Sequence, residues 1–159
     1  MTRTNALLSA VLFTTLAACG RDPAIPADAR DLAMAQVGFA QSYSSTQFNQ
    51  PARLVIQDQR TWDEAWAKID RQTPAPATDF ETSMIVLAAM GQRYSGGYSI
   101  AFDDIAATQH TLYVSVTEGS PGDRCMTTQA LVQPVAVTRV ERIEGDVQFI
   151  EHTQAYDCY

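Results

Sequence analysis

The chain has 159 residues, 46% of them apolar, with 11 cationic and 18 acidic side chains and a net charge of −7. That length allows one domain plus an export segment, and the apolar fraction is ordinary for a chain with a real core. The acidic balance repels phosphate backbones and argues against a nucleic-acid partner.

In chain order, the first predicted element is a signal peptide over residues 1–18. Arg3 supplies its positive start, and Ala6 to Leu16 its apolar stretch. As a helix that stretch reaches roughly 16 Å, about half of a ~30 Å hydrocarbon core, so it is too short to span a bilayer. It ends in Leu16-Ala17-Ala18-Cys19, which resembles the bacterial lipobox. The resemblance implies cleavage before Cys19, lipidation of its thiol and acylation of its new amino group. Two or three acyl chains, at ~0.8 kcal/mol per buried methylene, anchor a protein stably where a single chain would be marginal. The lipobox resemblance also implies that Gly20, standing where an inner-membrane retention signal usually has Asp, favours the outer membrane facing the periplasm in a Gram-negative cell. Loss of residues 1–18 removes Arg3 alone, leaving ten cationic against 18 acidic side chains, a net −8.

Residues 19–36 read as a lipidated tether with Pro23, Pro26 and a short helical turn near Asp31 to Ala35. A flexible tether of that length spans roughly 20–25 Å. It would keep the domain, expected over residues 37–159, close to the lipid surface. Leu54-Val55-Ile56 reads as a short strand. A helix follows, with Thr61 as expected N-cap and Glu64 completing a capping box. Trp62, Ala65, Trp66 and Ile69 form its apolar face. Thr73 to Asp79 is a Pro-rich loop. Met84 to Met90 is a continuous apolar run, read as a buried central strand. Tyr98 to Phe102 and Leu112 to Val116 alternate as half-buried strands do, with Asp103-Asp104 expected to end the first and begin a turn. Val135 to Ile143 and Val147 to Glu151 flank Glu144-Gly145-Asp146, a hairpin signal. The sum is a β-rich α+β single domain with about six mostly antiparallel strands and one main helix.

After cleavage two cysteines remain, Cys125 and Cys158. In an oxidising compartment such a pair reads as a disulfide, with two free thiols as the alternative. The motifs of enzyme chemistry are missing: there is no Gly-x-Ser-x-Gly elbow, no phosphate-cradling loop and no His-Glu-x-x-His. His110 and His152 have no chemical partner nearby in sequence, and neither a metal nor a cofactor is expected. Two loops draw attention instead. Gly91 to Gly97 carries Arg93 and Tyr94 at its expected tip, followed by Gly96 and Gly97. Glu118 to Thr128 carries Asp123 and Arg124 and ends near Cys125. Tyr and Arg dominate binding hot spots, and a cross-linked loop loses less entropy on docking. The glycine pair serves equally well as a tight turn aiming Tyr98 into the core. If the strands follow meander order, both loops emerge at one end of the sheet. Arg93, Tyr94, Gly96, Gly97, Asp123 and Arg124 are therefore the expected binding surface.

These segments also carry a family resemblance. Asp79-Phe80, Gly91-Gln92, Gly96-Gly97-Tyr98-Ser99-Ile100, Pro121-Gly122, Cys125, Thr127, Gln129-Ala130-Leu131 and Pro134 follow one another as in the C-terminal domain of PrcB, an accessory subunit of a bacterial protease complex. The resemblance covers residues 54–142 and brings no catalytic residues with it. It implies a non-enzymatic, protein-binding envelope lipoprotein whose partner is another envelope protein, a protease among the candidates. Two alternatives stand beside it. The Gly-Gly-Tyr loop is similar to a binding loop of chagasin-type inhibitors of cysteine proteases. An envelope enzyme would show a deep pocket with converging polar groups near His110 or Asp103.

Overall fold

A computed structural model describes residues 24–38 and 40–158. The expected signal peptide, its cleavage site and Cys19 lie outside the described residues. Among those described, no helix is long and apolar enough to cross a membrane.

Two sheets and one helix form three layers. Strands β1 (Arg30–Asp31), β2 (Ala35–Gln36), β3 (Ser42–Tyr43) and β4 (Pro51–Ile56) precede helix α1 (Gln59–Ile69). Strands β5 (Ser83–Met90), β6 (Ser99–Ala107), β7 (Thr111–Pro121), β8 (Val135–Glu141) and β9 (Asp146–Tyr156) follow it. The first sheet runs β1-β6-β7-β9; the second runs β2-β8-β5-β4, with β3 also pairing β8. All pairings are antiparallel except β7 with β9. The β-rich α+β class stands, and the six long strands match the six expected from periodicity. The strands beyond six are the two-residue β1, β2 and β3, too short to leave a pattern in sequence.

The apolar run at β5 is continuous because both of its faces are covered. Met84, Val86, Ala88 and Met90 face the first sheet, where they meet Ile100, Ile105, Leu112, Val114 and Val116. Ile85, Leu87 and Ala89 face the other way and meet Trp62, Ala65, Trp66 and Ile69 of α1. A strand with one solvated face would alternate; a strand between two layers does not. The helix lies where its apolar stripe requires. Both indoles find acceptors in the Pro-rich loop: Trp62 Nε1 donates to Pro76 O at 3.0 Å and Trp66 Nε1 to Thr73 O at 3.2 Å. That loop therefore satisfies the polar tips of two fully buried tryptophans.

Several local expectations need correction. The helix N-cap is Asp58, whose side chain accepts from Thr61 N at 3.0 Å and from the Thr61 hydroxyl at 2.8 Å. Thr61 thus sits at the third helical position, and the helix starts nearly one turn earlier than expected. The helical turn expected near Asp31 is absent: Arg30–Asp31 pairs with Ala106 and Ala107, and Leu32 is buried in the core between the sheets. Chain expected to serve as tether is therefore sheet from Arg30 onward. Asp103-Asp104 does not end a strand. It forms a bulge inside β6, where Phe102 pairs Val116 but Asp104 pairs Ser115. The extra residue shifts the alternation, so that Ile105 rather than Asp104 faces the core. Asp103 accepts hydrogen bonds from Thr117 at 2.7 Å and Ser115 at 3.3 Å on the outer face.

Glu144-Gly145-Asp146 is not a hairpin either. β8 belongs to one sheet and β9 to the other, so the turn carries the chain across the sandwich. Gly145 has φ of 133°, and a Cβ there would collide with the carbonyl of His110. The backbone has to pass that close because Asp146 N donates to His110 O at 3.0 Å and opens the parallel pairing with β7.

Candidate functional site

The two loops singled out from sequence do meet, though by a different route from the one expected. β5 and β6 lie in different sheets, so residues 91–98 cross between layers rather than turn within one. They arrive at the end of the first sheet where β6 begins and β7 finishes, since Ser99 pairs Gly119. There Arg93 forms a reciprocal backbone pair with Val132, its N–H reaching Val132 O at 2.8 Å and its carbonyl accepting from Val132 N at 3.0 Å. Gly96 N donates to Thr128 O at 2.9 Å. The Tyr156 hydroxyl donates to Gly97 O.

Gly97 is held at φ of 90°, and a Cβ on it would come within 2.8 Å of the Tyr156 hydroxyl and 3.2 Å of Thr127. Only glycine takes that conformation at low cost in so close a fit. Gly96, half-buried, and Gly97, exposed, are therefore held close against Thr128 and Tyr156, as a structural turn would be.

Cys125 and Cys158 are joined, with Cα atoms 4.9 Å apart. The bridge fixes the C-terminal tail to the Pro121–Thr128 segment, helped by Gly122 N donating to Tyr156 O at 2.9 Å. Cross-linking over a separation of 33 residues contributes about 3–4 kcal/mol in the chain-entropy model.

The named side chains divide into two groups. Arg93 turns inward: it pairs with Glu118 at 3.5 Å and lies 5.7 Å from the centre of the Tyr98 ring. Glu118 also pairs with Arg53 at 2.8 Å, and Arg53 with Glu151 at 2.7 Å. Arg53 donates further to the carbonyls of Ala52 and Ala89. Glu151 first, and then Glu118, raise its pKa above the usual guanidinium value against the opposing effect of burial. The chain of charges ties β4 of one sheet to β7 and β9 of the other. Sequence reading missed Arg53, Glu118 and Glu151, because nothing in their spacing connects strands so far apart in the chain.

Tyr94, by contrast, is 78% exposed. So are two apolar residues on the facing segments: Leu131 at 57% and Met126 at 100%. Tyr94 and Leu131 adjoin the Arg93–Val132 pair, one on each strand. Asp123 and Arg124 are exposed, and Arg124 approaches Asp157 at 3.9 Å. The surface these loops present is thus Tyr94, Met126 and Leu131, set on segments held by a disulfide and by backbone bonds. Met126 and Leu131 sit in no periodic pattern that would have marked them.

Elsewhere a wide, open cleft of about 450 Å³ is lined by Asp28, Arg30, Gln109, Arg142 and Glu144 among others. Another, of about 130 Å³, lies between β6 and β8, lined by Met34, Ser42, Ile100, Phe102, Ala136 and Thr138 among others, with no titratable side chain. Ligand pockets are typically ~300–1,000 Å³. Among the described residues no group of three or more His, Cys, Asp or Glu is placed to hold a metal ion.

No curated protein and no solved structure matches the chain. The family match covers β5 through β8, the stretch that holds both loops and the central strand: residues 84–141 match the PrcB C-terminal family and are similar to it over that stretch.

Proposed function

We propose that this chain is a lipid-anchored envelope protein that acts without catalysis, as a protein-binding accessory subunit of a protease complex. The family match supports this at the level of the family. The observation that carries the binding part is the exposure of Tyr94 and Leu131 beside the Arg93–Val132 pair, and of Met126 next to the disulfide-bonded Cys125. Aromatic and methionine side chains are enriched at protein interfaces, and preordered loops lose less entropy on docking. Position within the fold agrees. β1, where the described chain enters the first sheet, pairs the Ala107 end of β6, whereas Tyr94, Met126 and Leu131 lie at the Ser99 end. Those ends are separated by the nine-residue strand, roughly 26 Å. A domain tethered through Cys19 can therefore hold these side chains away from the lipid surface, toward a partner.

Site-specific photocrosslinking in intact cells tests this reading. A crosslinker at position 94 or 131 is expected to capture an envelope protease, while one at Gln109, at the opposite end of the sheet, is not. Capture of a protease equally from all three positions, or from Gln109 alone, would overturn it. Labelling with an alkyne fatty acid, lost in Cys19→Ser and retained in Cys125→Ser, tests the anchor separately.

A further inference from the structure

The outer edge of β9 is a long, unguarded strand edge. β9 pairs β7 one residue to one over its full length, from Asp146 opposite Thr111 to Tyr156 opposite Pro121, without a bulge. No strand lies on its other side among the described residues. Two contacts fix which backbone groups face which way. Asp146 N donates to His110 O, and Tyr156 O accepts from Gly122 N. In a parallel pair one parity of residues turns both its N–H and its C=O toward the partner strand. Here that is the even set, from Asp146 to Tyr156. The odd set, Val147, Phe149, Glu151, Thr153 and Ala155, therefore turns its N–H and C=O groups outward. Edge strands are ordinarily blunted by proline, lysine, a bulge or short length. β9 has no proline, no lysine and no bulge, and it is 11 residues long.

We propose that this edge binds an extended, cationic polypeptide segment of a partner as an added strand. An extended backbone is the complement of a row of outward N–H and C=O groups, as in other strand-addition complexes. Charge decides between occupants. Residues 143–159 contain no Lys or Arg; on the strand itself Asp146 is acidic, while Glu151 is already paired with Arg53. A second copy would bring the same carboxylates onto this edge, and the whole chain is already at −7. A segment carrying Lys or Arg meets complementary charge instead. The C-terminal end of the edge, Ala155 and Tyr156, reaches the disulfide-linked loops, so a strand laid there would run up to the exposed apolar side chains. The proposal stands on β9 alone and does not depend on the identity of a protease.

Hydrogen exchange on the mature chain, with synthetic peptides as probes, tests it. The probe is a nine-residue peptide alternating Thr or Val with Lys. Its controls are the same peptide with Glu in place of Lys and one N-methylated at alternate residues. In the free protein the amides of Val147, Phe149, Glu151, Thr153 and Ala155 are expected to exchange fast and those of Gln148, Ile150 and His152 slowly. The Lys peptide is expected to slow the odd set at least tenfold and leave the even set unchanged. Ala155→Lys is expected to weaken peptide affinity at least tenfold, and its unaltered even-set protection would show that the sheet is intact. Four results would each overturn the proposal: odd amides already protected in the monomer, no slowing at saturating peptide, equal slowing by the N-methylated or the Glu peptide, or protection that grows with protein concentration without peptide. Because the readout is at β9 amides, it can fail while crosslinking from position 94 succeeds, and the reverse.

Discussion

The helix side of the molecule and the loop end are held by different physics. On the helix side, Trp62 and Trp66 are fully buried against Ile85, Leu87, Val135 and Val137, and their indole N–H groups are satisfied by the Pro-rich loop. Apolar burial does the holding there. At the loop end, Tyr94, Met126 and Leu131 are exposed, and order comes from a disulfide, a backbone pair and a chain of charges. A region stabilised by burial cannot spare its large side chains for a partner. A region stabilised by a covalent link and polar contacts can, and that is why the exposed apolar groups gather at the stapled end.

The sharpest way to break this contrast is in the helix core. Trp66→Ala is expected to cost about 3–5 kcal/mol, as large aromatic truncations in close-packed interiors do. It also leaves Thr73 O without its indole donor. Urea unfolding followed by circular dichroism measures it; a loss under about 1 kcal/mol would mean that the helix layer contributes little to stability. Next in size is the staple. Cys158→Ser with Cys125→Ser removes the cross-link without leaving a lone thiol, and the same titration should fall by about 3–4 kcal/mol. If hydrogen exchange then rises only around residues 121–128 and 153–158, the bridge orders the loop end locally. If exchange rises across β5 and β8 as well, the two regions are less separable than their packing indicates.

Much of the helix side was legible in sequence because burial leaves a periodic trace. Trp62, Ala65, Trp66 and Ile69 repeat at helical spacing, and the unbroken apolar run at Met84 to Met90 announced a strand covered on both faces. The loop end was half legible. Glycines, the cysteine pair and Tyr94 marked where to look, but Arg93 faces Glu118 rather than solvent, and Met126 and Leu131 emerge only once the strands are placed. The hairpin expected at Gly145 failed for a general reason: a turn signal says that the chain reverses, not which sheet it enters next. The bulge at Asp103 was hidden likewise, since a shift in alternation looks in sequence like a strand end.

A smaller effect separates the two regions by pH. Asp58, Asp70 and Asp79 surround the helix and its covering loop, and hydrogen bonds hold each below the usual carboxylate range. For Asp58 the main donor is the backbone N–H of Thr61; for Asp70 it is the Thr73 hydroxyl and for Asp79 the Thr82 hydroxyl. A carboxylate whose folded pKa lies below its unfolded value of about 4 contributes stability that is present above pH 4 and lost as pH falls through the folded value. Stability should therefore decline between pH 4 and pH 2. The triple variant Asp58→Asn, Asp70→Asn and Asp79→Asn should decline less over that range, because Asn does not titrate; it starts from a lower stability, since its single carbonyl oxygen replaces only one of the two acceptors each carboxylate uses. Equal declines would assign the acid sensitivity to other groups.

The smallest expected effect on stability is the most informative about function. Tyr94→Ala with Leu131→Ser removes the two exposed side chains that flank the Arg93–Val132 pair, while the backbone bonds of that pair, the disulfide and Gly97 keep the loops in place. Substitutions at exposed sites away from special backbone geometry usually change stability by less than about 0.5 kcal/mol. The denaturation midpoint should therefore stay near that of the parent, in contrast to Trp66→Ala. Partner capture in cells should fall, by about fivefold or more if either side chain is a hot spot worth about 1–4 kcal/mol. A variant that loses stability by more than about 1 kcal/mol would place Tyr94 and Leu131 among the groups that hold the loops. A variant that keeps both stability and capture would move the binding surface elsewhere, with the open edge of β9 as the next place to look.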